Sequence, residues 1–253
     1  QLPSISGMPA NITQNNDAEL CGAVVTWMDP TSEDNCAIEE FSSSHPNGGV
    51  FDVGTTTVTY TALDIHGNSS TASFDIVIAD NEAPTISSLS GDLSSANDLG
   101  SCGAFMFWSE PRGDDNCNLL SLTSTHQSGS FFDVGTTTVT YTATDIYGNE
   151  FAQSFDITIT DSENPSLAGD LGDMTVSTDL DQCDAVVMWS EPEAVDNCPG
   201  ATYSSDIANG SALALGSTLV TYTVVDAAGN SFETSFTVTV EDNQSPVFDS
   251  APQ

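Results

Sequence analysis

Six cysteines are the residues of this 253-residue chain whose type and spacing best suit covalent or metal chemistry. Fourteen residues separate the members of each successive pair: Cys21 and Cys36, Cys102 and Cys117, Cys183 and Cys198. The spacing does not match a Cys-x-x-Cys zinc pair, and it is typical of disulfides in an oxidising, extracellular compartment. Proximity along the chain predicts one local disulfide per pair, worth about 3 kcal/mol in the chain-entropy model. The alternative is pairing between adjacent units, such as Cys21 with Cys117.

The other candidate catalytic groups do not form a consistent set. His45 and His126 occupy equivalent places in two copies of a repeat, but Ile207 fills that place in the third. No Gly-x-Ser-x-Gly elbow, phosphate-binding loop or lone nucleophilic cysteine is present. Catalysis needs a group placed once, whereas this sequence places its polar groups three times. We therefore expect no enzyme activity.

The cysteines belong to a repeat with a fixed period of 81 residues. The same period relates Trp27 to Trp108 and Trp189, and an Asp-Asn-Cys motif recurs in register. Each unit closes with an Asp shortly before a Pro that opens the next unit, which predicts domains at 1–80, 81–161 and 162–242. Residues 243–253 begin a further repeat or form an overhang. We expect either a segment of a longer array or overhangs that meet neighbouring chains.

Alternating apolar and polar residues dominate every unit. Val58, Tyr60 and Ala62 share one face of a predicted strand, and Phe74 and Ile78 lie on the inner face of the next. This period of two predicts half-buried strands, about seven in each unit. The sequence is therefore expected to form all-β antiparallel sandwiches, with the repeated Trp in each core and a sugar-stacking platform as the alternative.

The charge balance limits the possible partners. The chain carries 37 acidic residues against a single basic one, Arg112, for a formal net charge of -36. Nucleic acid and anionic membrane surfaces are excluded as partners because nothing could neutralise their phosphates. The sequence contains no run of 18 apolar residues, so direct membrane insertion is not expected. The 38% content of hydrophobic residues favours packed domains over disorder.

Several motifs in fixed order resemble the hyalin repeat, or HYR domain, across the whole chain. They are Cys-Gly-Ala-Val-Val-x-Trp-x-x-Pro at 21–30, Asp-Asn-Cys at 34–36, Gly-Thr-Thr-Thr-Val-Thr-Tyr-Thr-Ala at 54–62 and Asp-x-x-Gly-Asn at 64–68. The resemblance implies three tandem immunoglobulin-like β-sandwich domains in an extended array, located outside the cell or at its surface, with a role in adhesion. A second cysteine pair found in many bacterial members is absent, since Met8 and Ser73 stand in its places.

The implied topology predicts where the acidic residues meet. In an immunoglobulin-like sandwich the entering linker, the loop after the second strand and the last hairpin loop share one end. Their side chains here supply oxygen ligands of the kind that calcium prefers. The predicted calcium ligands are Asp34, Asp64, Asn68, Asp80, Glu82, Asp115, Asp145, Asn149, Asp161, Glu163, Asp196, Asp226, Asn230 and Asp242. The alternative is that such Asp and Asn side chains only bond to local backbone amides at turns.

Two functions are consistent with these features. The first is a non-catalytic extracellular stalk, adhesin or fibre segment, stiffened by calcium at the junctions, whose partners are neighbouring repeats of the same or identical chains. The second is a module that recognises glycans or surface proteins. Phe105 and Phe107 motivate the second function, because they lie on the strand face opposite Trp108 and form either a lateral contact or the second side of a buried strand.

Overall fold

A computed structural model describes residues 1–169 and 171–246, and every regular element within them is a β-strand. The first repeat contains β1 (Ser4–Ser6), β2 (Ile12–Asn15), β3 (Gly22–Val24), β4 (Thr31–Glu33), β5 (Ile38–Ser43), β6 (Val50–Asp52), β7 (Gly54–Asp64) and β8 (Ser69–Ala79). The second contains β9 (Thr85–Ser87), β10 (Leu93–Ala96), β11 (Gly103–Phe105), β12 (Arg112–Asp114), β13 (Leu119–Ser124), β14 (Phe131–Asp133), β15 (Gly135–Asp145) and β16 (Glu150–Thr160). The third contains β17 (Ser166–Ala168), β18 (Met174–Ser177), β19 (Asp184–Val186), β20 (Glu193–Val195), β21 (Thr202–Ser205), β22 (Ala212–Ala214), β23 (Gly216–Val225) and β24 (Ser231–Glu241).

All three repeats have the same strand order. In the first, a four-stranded sheet runs β2-β8-β7-β5, and two ribbons pair β1 with β4 and β3 with β6. The edge strand β2 runs parallel to β8, and the other pairs are antiparallel. The order recurs as β10-β16-β15-β13 and β18-β24-β23-β21. The expectation of three tandem all-β sandwich domains is confirmed, with eight described strands in each repeat where the sequence indicated about seven.

The period-2 pattern builds the core as predicted. Val58 and Ile76 of the four-stranded sheet are fully buried, and they share a cluster with Ala23 of β3 and Phe51 of β6. The four-stranded sheet therefore packs face to face against the ribbon of β3 and β6, which makes a sandwich. An equivalent cluster in the third repeat is centred on Tyr222 and Val238.

The long hairpin of each repeat closes through a glycine in the left-handed region. Gly67 has φ 82°, and Gly148 and Gly229 each have φ 94°. A side chain with a Cβ is disfavoured in this conformation. The glycine thus permits the tight turn that begins at Asp64, Asp145 and Asp226.

Each repeated tryptophan packs edge-on against a core phenylalanine, and its indole is anchored by a chain of hydrogen bonds. In the third repeat the Trp189 ring lies 5.4 Å from the Phe236 ring. Trp189 Nε1 donates to the Tyr222 hydroxyl at 2.7 Å, which donates to Glu191 Oε2 at 3.1 Å. Burial raises the pKa of Tyr222, so the hydroxyl stays protonated as this arrangement requires. The tryptophan is therefore a core anchor with its one polar atom paired.

The described chain divides into two compact units. One consists of Gln1–Gly91, Trp108–Gln127 and Val139–Phe155, and the other of Asp92–Phe107, Ser128–Thr138 and the described residues from Asp156 onward. The term junction is used below for the segments through which one repeat contacts the next. The segments that join the first and second repeats lie within the first unit, and those that join the second and third repeats lie within the second unit. Of the predicted terminal segment 243–253, residues 247–253 lie outside the described part of the chain.

The Tyr222 hydroxyl should contribute measurably to stability. Tyr222→Phe leaves Trp189 Nε1 without its acceptor, so we expect a loss of about 1–3 kcal/mol in the free energy of unfolding. Tyr203→Phe is the matched control, because Tyr203 also donates to Glu191 Oε2, at 3.3 Å, yet lies near the surface. Denaturant titration followed by tryptophan fluorescence would measure both. Equal losses for the two variants would contradict the role given to Tyr222.

Candidate metal centres at the repeat junctions

The last hairpin turn of the second repeat fixes one carboxylate at the first junction. Asp145 Oδ1 accepts the backbone N–H groups of Tyr147, Gly148 and Asn149 at 2.6–2.9 Å, and Asp145 Oδ2 accepts Asn149 Nδ2 at 2.7 Å. Burial raises the pKa of Asp145, but the combined hydrogen bonds, above all those from Asn149, outweigh burial and hold it below the usual value. Asp145 is thus a buried, ionised carboxylate.

Two further carboxylates from different segments approach Asp145. Asp80 comes from the linker that leaves the first repeat, and Asp115 comes from the loop between β12 and β13. One carboxylate oxygen from each of the three residues lies within 4.8 Å of the others. Asn149 Nδ2 also contacts the Asp80 carbonyl at 3.5 Å, which ties the hairpin turn to the linker.

Three side-chain oxygens at this junction are buried and have no hydrogen-bond partner among the described residues. They are Asp80 Oδ2, Asp115 Oδ2 and Asn116 Oδ1. The other Asp80 and Asp115 oxygens accept backbone N–H groups, from Glu82 at 3.1 Å and from Cys117 at 2.8 Å. Each unpartnered oxygen costs free energy unless a donor or a cation meets it.

The charges at the junction also oppose one another. Burial raises the pKa of Asp80, and although the hydrogen bond from the Glu82 backbone lowers it, the charges of Asp145 and Asp115 raise it further. Like carboxylates in one partly buried site cannot all ionise cheaply without a compensating positive charge. The arrangement suits a cation with oxygen ligands.

The second junction repeats the unpartnered oxygens, but its group of candidate ligands consists of Asp161, Asp196 and Cys198 and does not include the hairpin residue Asp226. The unpartnered buried oxygens among its described residues are Asp161 Oδ2, Asp196 Oδ1 and Asn197 Oδ1, each 81 positions after its counterpart. Asp161 is only 9% exposed. The turn residue Asp226 is held by Asn230, whose Nδ2 reaches the Asp161 carbonyl at 3.3 Å. The Cys198 sulfur lies in the same cluster but belongs to a disulfide, so only oxygens are candidate ligands.

Asn116 and Asn197 were not among the predicted ligands, and they add a bond between repeats. Asn116 Nδ2 donates to the Leu20 carbonyl at 3.2 Å, and Asn197 Nδ2 donates to the Ser101 carbonyl at 3.1 Å. Each amide therefore holds the preceding repeat with its nitrogen, while its oxygen is buried without a partner among the described residues. The recurrence of Asn in every Asp-Asn-Cys motif was the available signal.

The glutamates predicted as ligands point to a different partner. Glu82 Oε2 accepts the Glu19 backbone N–H at 2.9 Å, and Glu163 Oε1 accepts the Gly100 backbone N–H at 2.6 Å. Both glutamates thus tie the linker to the loop between the second and third strands of the preceding repeat. Neither carboxylate belongs to the two groups of described residues that could hold a metal ion.

Some of the predicted calcium ligands of the first and third repeats lie outside the two junctions. In the first repeat Asp34 Oδ2 accepts the Cys36 N–H at 2.8 Å, and Asp64 is held by Asn68, whose Nδ2 donates at 2.7 Å. In the third repeat Asp242 is exposed and accepts the Gln244 N–H at 2.9 Å. These predicted ligands stand apart from the two clusters.

The disulfides differ from the expected local pairs, and this is a correction. Cys21 bonds Cys117 and Cys102 bonds Cys198, so each bond joins the first cysteine of one repeat to the second cysteine of the next. Cys36 and Cys183 are the free cysteines of the described chain, and both are exposed. The expectation of one disulfide within each domain was wrong.

The length of the long strand explains the correction. Asn16 N donates to the Ala79 carbonyl, so the loop leading to Cys21 lies where β8 ends. Ile65 N donates to the Ala37 carbonyl, so Cys36 lies near the turn where β8 begins. An eleven-residue strand spans about 35 Å, whereas a disulfide needs Cα atoms within about 7 Å. The two cysteines of one repeat are therefore at opposite ends.

Comparison with known proteins identifies the family. The HYR domain model matches residues 1–78, 79–159 and 161–240. The chain belongs to the HYR domain family, with three repeats in tandem.

Two relatives at 34% identity are hyalins. Identity to hyalin of Strongylocentrotus purpuratus extends over 95% of this chain and 21% of that protein. Identity to hyalin of Lytechinus variegatus extends over 85% of this chain and 42% of that protein. The chain thus spans less than half the length of these relatives.

A structure of Drosophila N-cadherin EC1-4 aligns with 95% of this chain and 75% of that chain, at 13% identity and a TM-score of 0.35. Within the described residues, no helix has the length and apolarity needed to cross a membrane.

The cysteine pairing predicts a defined peptide map. Digestion without reduction should yield one peptide pair containing Cys21 and Cys117 and another containing Cys102 and Cys198. Cys36 and Cys183 should react with an alkylating reagent in the native protein. Each bond closes a loop with a sequence separation of 96, worth about 4–5 kcal/mol in the chain-entropy model. Recovery of Cys21 joined to Cys36 would contradict the pairing.

Proposed function

We propose that this chain is a non-catalytic, extracellular structural segment of an adhesive protein, in which calcium and disulfides hold successive repeats together. The observation that carries the proposal is the recurrence, at both junctions, of three buried and unpartnered oxygens beside an ionised hairpin aspartate. The hyalin relatives and the disulfides support an extracellular adhesive setting. The threefold placement of the same polar groups supports a structural role.

Calcium fits the ligand set better than other common metals. Zinc favours thiolate and imidazole ligands, and these clusters offer carboxylate and amide oxygens. Magnesium requires near-ideal octahedral geometry, whereas calcium accepts six to eight oxygens in flexible arrangements. Asp80, Asp115 and Asn116 would supply ligands at the first junction, and Asp161, Asp196 and Asn197 would supply them at the second. A divalent ion would offset most of the charge of the carboxylates that meet there.

Calcium and the disulfide would act on the same pair of segments. The Asp-Asn-Cys loop of the second repeat carries the ligands Asp115 and Asn116 and the bonding residue Cys117, which reaches Cys21 of the first repeat. The disulfide fixes this loop to the preceding repeat at one point. The ion would fix it to the linker through Asp80, so that two constraints resist bending at each junction.

Calcium binding should show two sites that can be removed separately. Isothermal titration at moderate salt should give two ions per chain, with dissociation constants of about 10⁻⁴–10⁻³ M. Asp80→Asn and Asp161→Asn should each lose one site, because each removes a buried ligand charge while keeping the Oδ1 acceptor. The double variant should lose both.

Asp92→Asn serves as the control, since Asp92 is exposed and accepts the backbone N–H of Asp156 at 2.9 Å within β16, where Asn11 makes the equivalent contact in the first repeat. It should bind two ions like the unaltered chain. If the chain bound no calcium, or if all the variants kept equal binding, the calcium proposal would be refuted.

A second candidate function is recognition of glycans or a surface protein by the second repeat. Phe105 and Phe107 are 57% and 73% exposed, so they do not form the second side of a buried strand. Phe131 lies against Phe105 with ring centroids 5.2 Å apart, which extends the apolar patch. Aromatic faces of this kind stack on sugars and anchor protein interfaces. A glycan array should show binding that Phe107→Ser weakens, and signal no higher than background would remove this candidate.

A further inference from the structure

The second repeat carries the single Lys or Arg side chain of the sequence, and this residue begins an Arg-Gly-Asp tripeptide. Arg112, Gly113 and Asp114 form strand β12, which pairs antiparallel with β9. The sequence holds 37 acidic residues, yet Arg112 forms no ion pair with any of them within the described part of the chain. The guanidinium is therefore available to an acidic partner.

The fold does not require this tripeptide. The equivalent strands β4 and β20 have the sequences Thr-Ser-Glu and Glu-Ala-Val, and they pair antiparallel in the same register with β1 and β17. In every repeat a hydroxyl of the partner strand donates to the carbonyl of the last residue: Ser4 to Glu33 at 3.2 Å, Thr85 to Asp114 at 3.3 Å and Ser166 to Val195 at 3.3 Å. The same backbone thus forms from three different sets of side chains.

Both charged side chains lie on one exposed face of β12. Residues i and i+2 of a strand share a face, with Cα atoms about 6.6 Å apart. Arg112 and Asp114 are exposed, whereas Gly113 is half-buried. A Cβ at Gly113 would lie on the opposite face, 2.8 Å from Leu119 Cδ2. The strand therefore presents a guanidinium and a carboxylate side by side to solvent, on a backbone held in place by β9.

Asp114 has one carboxylate oxygen available for a partner. Its Oδ1 accepts the Asp115 N–H at 3.1 Å, and its Oδ2 accepts no hydrogen bond from the described residues. Asp114 is also outside the acidic group formed by Asp80, Asp115 and Asp145. A cation held by a partner can therefore meet Asp114 Oδ2 without taking a ligand from the junction.

We propose that β12 is the docking site for a cell-surface adhesion receptor whose ligand site combines an acidic pocket with a bound divalent cation. Arg112 enters the acidic pocket, where its planar guanidinium forms paired hydrogen bonds with carboxylates. Asp114 Oδ2 coordinates the receptor's cation, since divalent cations of this kind prefer carboxylate oxygens. The inference rests on the proposed adhesive function, for which it supplies a partner.

The charge of the chain favours this partner over a second copy of the same chain. Two copies, each with a net charge of -36, repel one another. An exposed divalent cation on a receptor is instead attracted by the many carboxylates around its ligand. The acidic pocket is the part of the receptor that these carboxylates repel, and Arg112 is the residue that can neutralise it.

Two exchanges between repeats test the docking site without disturbing the strand. Arg112→Thr and Asp114→Glu each introduce the residue that the first repeat has at that position, where the same backbone forms. The probe is the ectodomain of an integrin that binds the peptide Gly-Arg-Gly-Asp-Ser, and surface plasmon resonance in magnesium without added calcium measures its affinity. Each variant should bind about 30-fold more weakly than the unaltered chain. Equal affinity of the variants and the unaltered chain, or no binding by the unaltered chain, would overturn the proposal.

Glu33→Asp is the matched control, because it makes the reverse change at the equivalent exposed position of the first repeat. It should bind the receptor like the unaltered chain. Asp114→Glu retains its charge, so its loss of binding reports the position of the carboxylate and not long-range steering. Free Gly-Arg-Gly-Asp-Ser should displace the chain from the receptor and Gly-Arg-Gly-Glu-Ser should not. Failure of the first peptide to compete would show that the receptor binds elsewhere and would overturn the proposal.

Calcium titration distinguishes this inference from the calcium proposal. Asp114→Glu should still bind two calcium ions, since Asp114 lies outside both groups of candidate metal ligands. Receptor binding in magnesium by a chain for which titration detects no calcium would leave the inference standing and refute the calcium sites. Two bound calcium ions without receptor binding would refute the inference alone.

Discussion

Each junction between repeats buries carboxylates that have no basic side chain to neutralise them. Asp80, Asp115 and Asp145 come from three separate segments and place oxygens within 4.8 Å of one another. The chain contains one basic residue, so an ion pair of the usual kind cannot satisfy both junctions. Burial of like charges is unfavourable by several kcal/mol unless a cation is supplied. The folded arrangement of linker, loop and hairpin therefore depends on a positive charge that contacts these carboxylate oxygens.

The long strands determine which residues can meet. Because β8 and its equivalents run the full length of a repeat, residues near the two ends of the strand are about 35 Å apart. One end presents the loop with Cys21, and the other presents the Asp-Asn-Cys loop and the hairpin turn. Bonds between these features can form only from one repeat to the next. The same geometry explains the disulfides, the asparagine bridges and the acidic clusters.

Sequence patterns predicted the sheets well and the junctions in part. Alternation over Val58 and Ile76 identified the core strands, because a period of two is visible over eleven residues. Three-residue strands such as β1 are too short to show this alternation, which accounts for the eighth strand in each repeat. The cysteine pairing was mispredicted because separation along the chain does not report which end of a sandwich a loop occupies. The bond from Asn116 to the Leu20 carbonyl was not predicted, because an amide between Asp and Cys resembles an ordinary turn residue.

Small-angle X-ray scattering with and without calcium tests the central claim most directly. It is best measured on a variant with all six cysteines changed to serine, so that no disulfide masks the effect of the ion. The account predicts that chelation converts a stiff particle into a flexible one with a broader distribution of dimensions. It also predicts that Asp80→Asn with Asp161→Asn makes the variant flexible even in calcium. A scattering profile that calcium does not change would contradict the claim that the junction carboxylates bind calcium and stiffen the array.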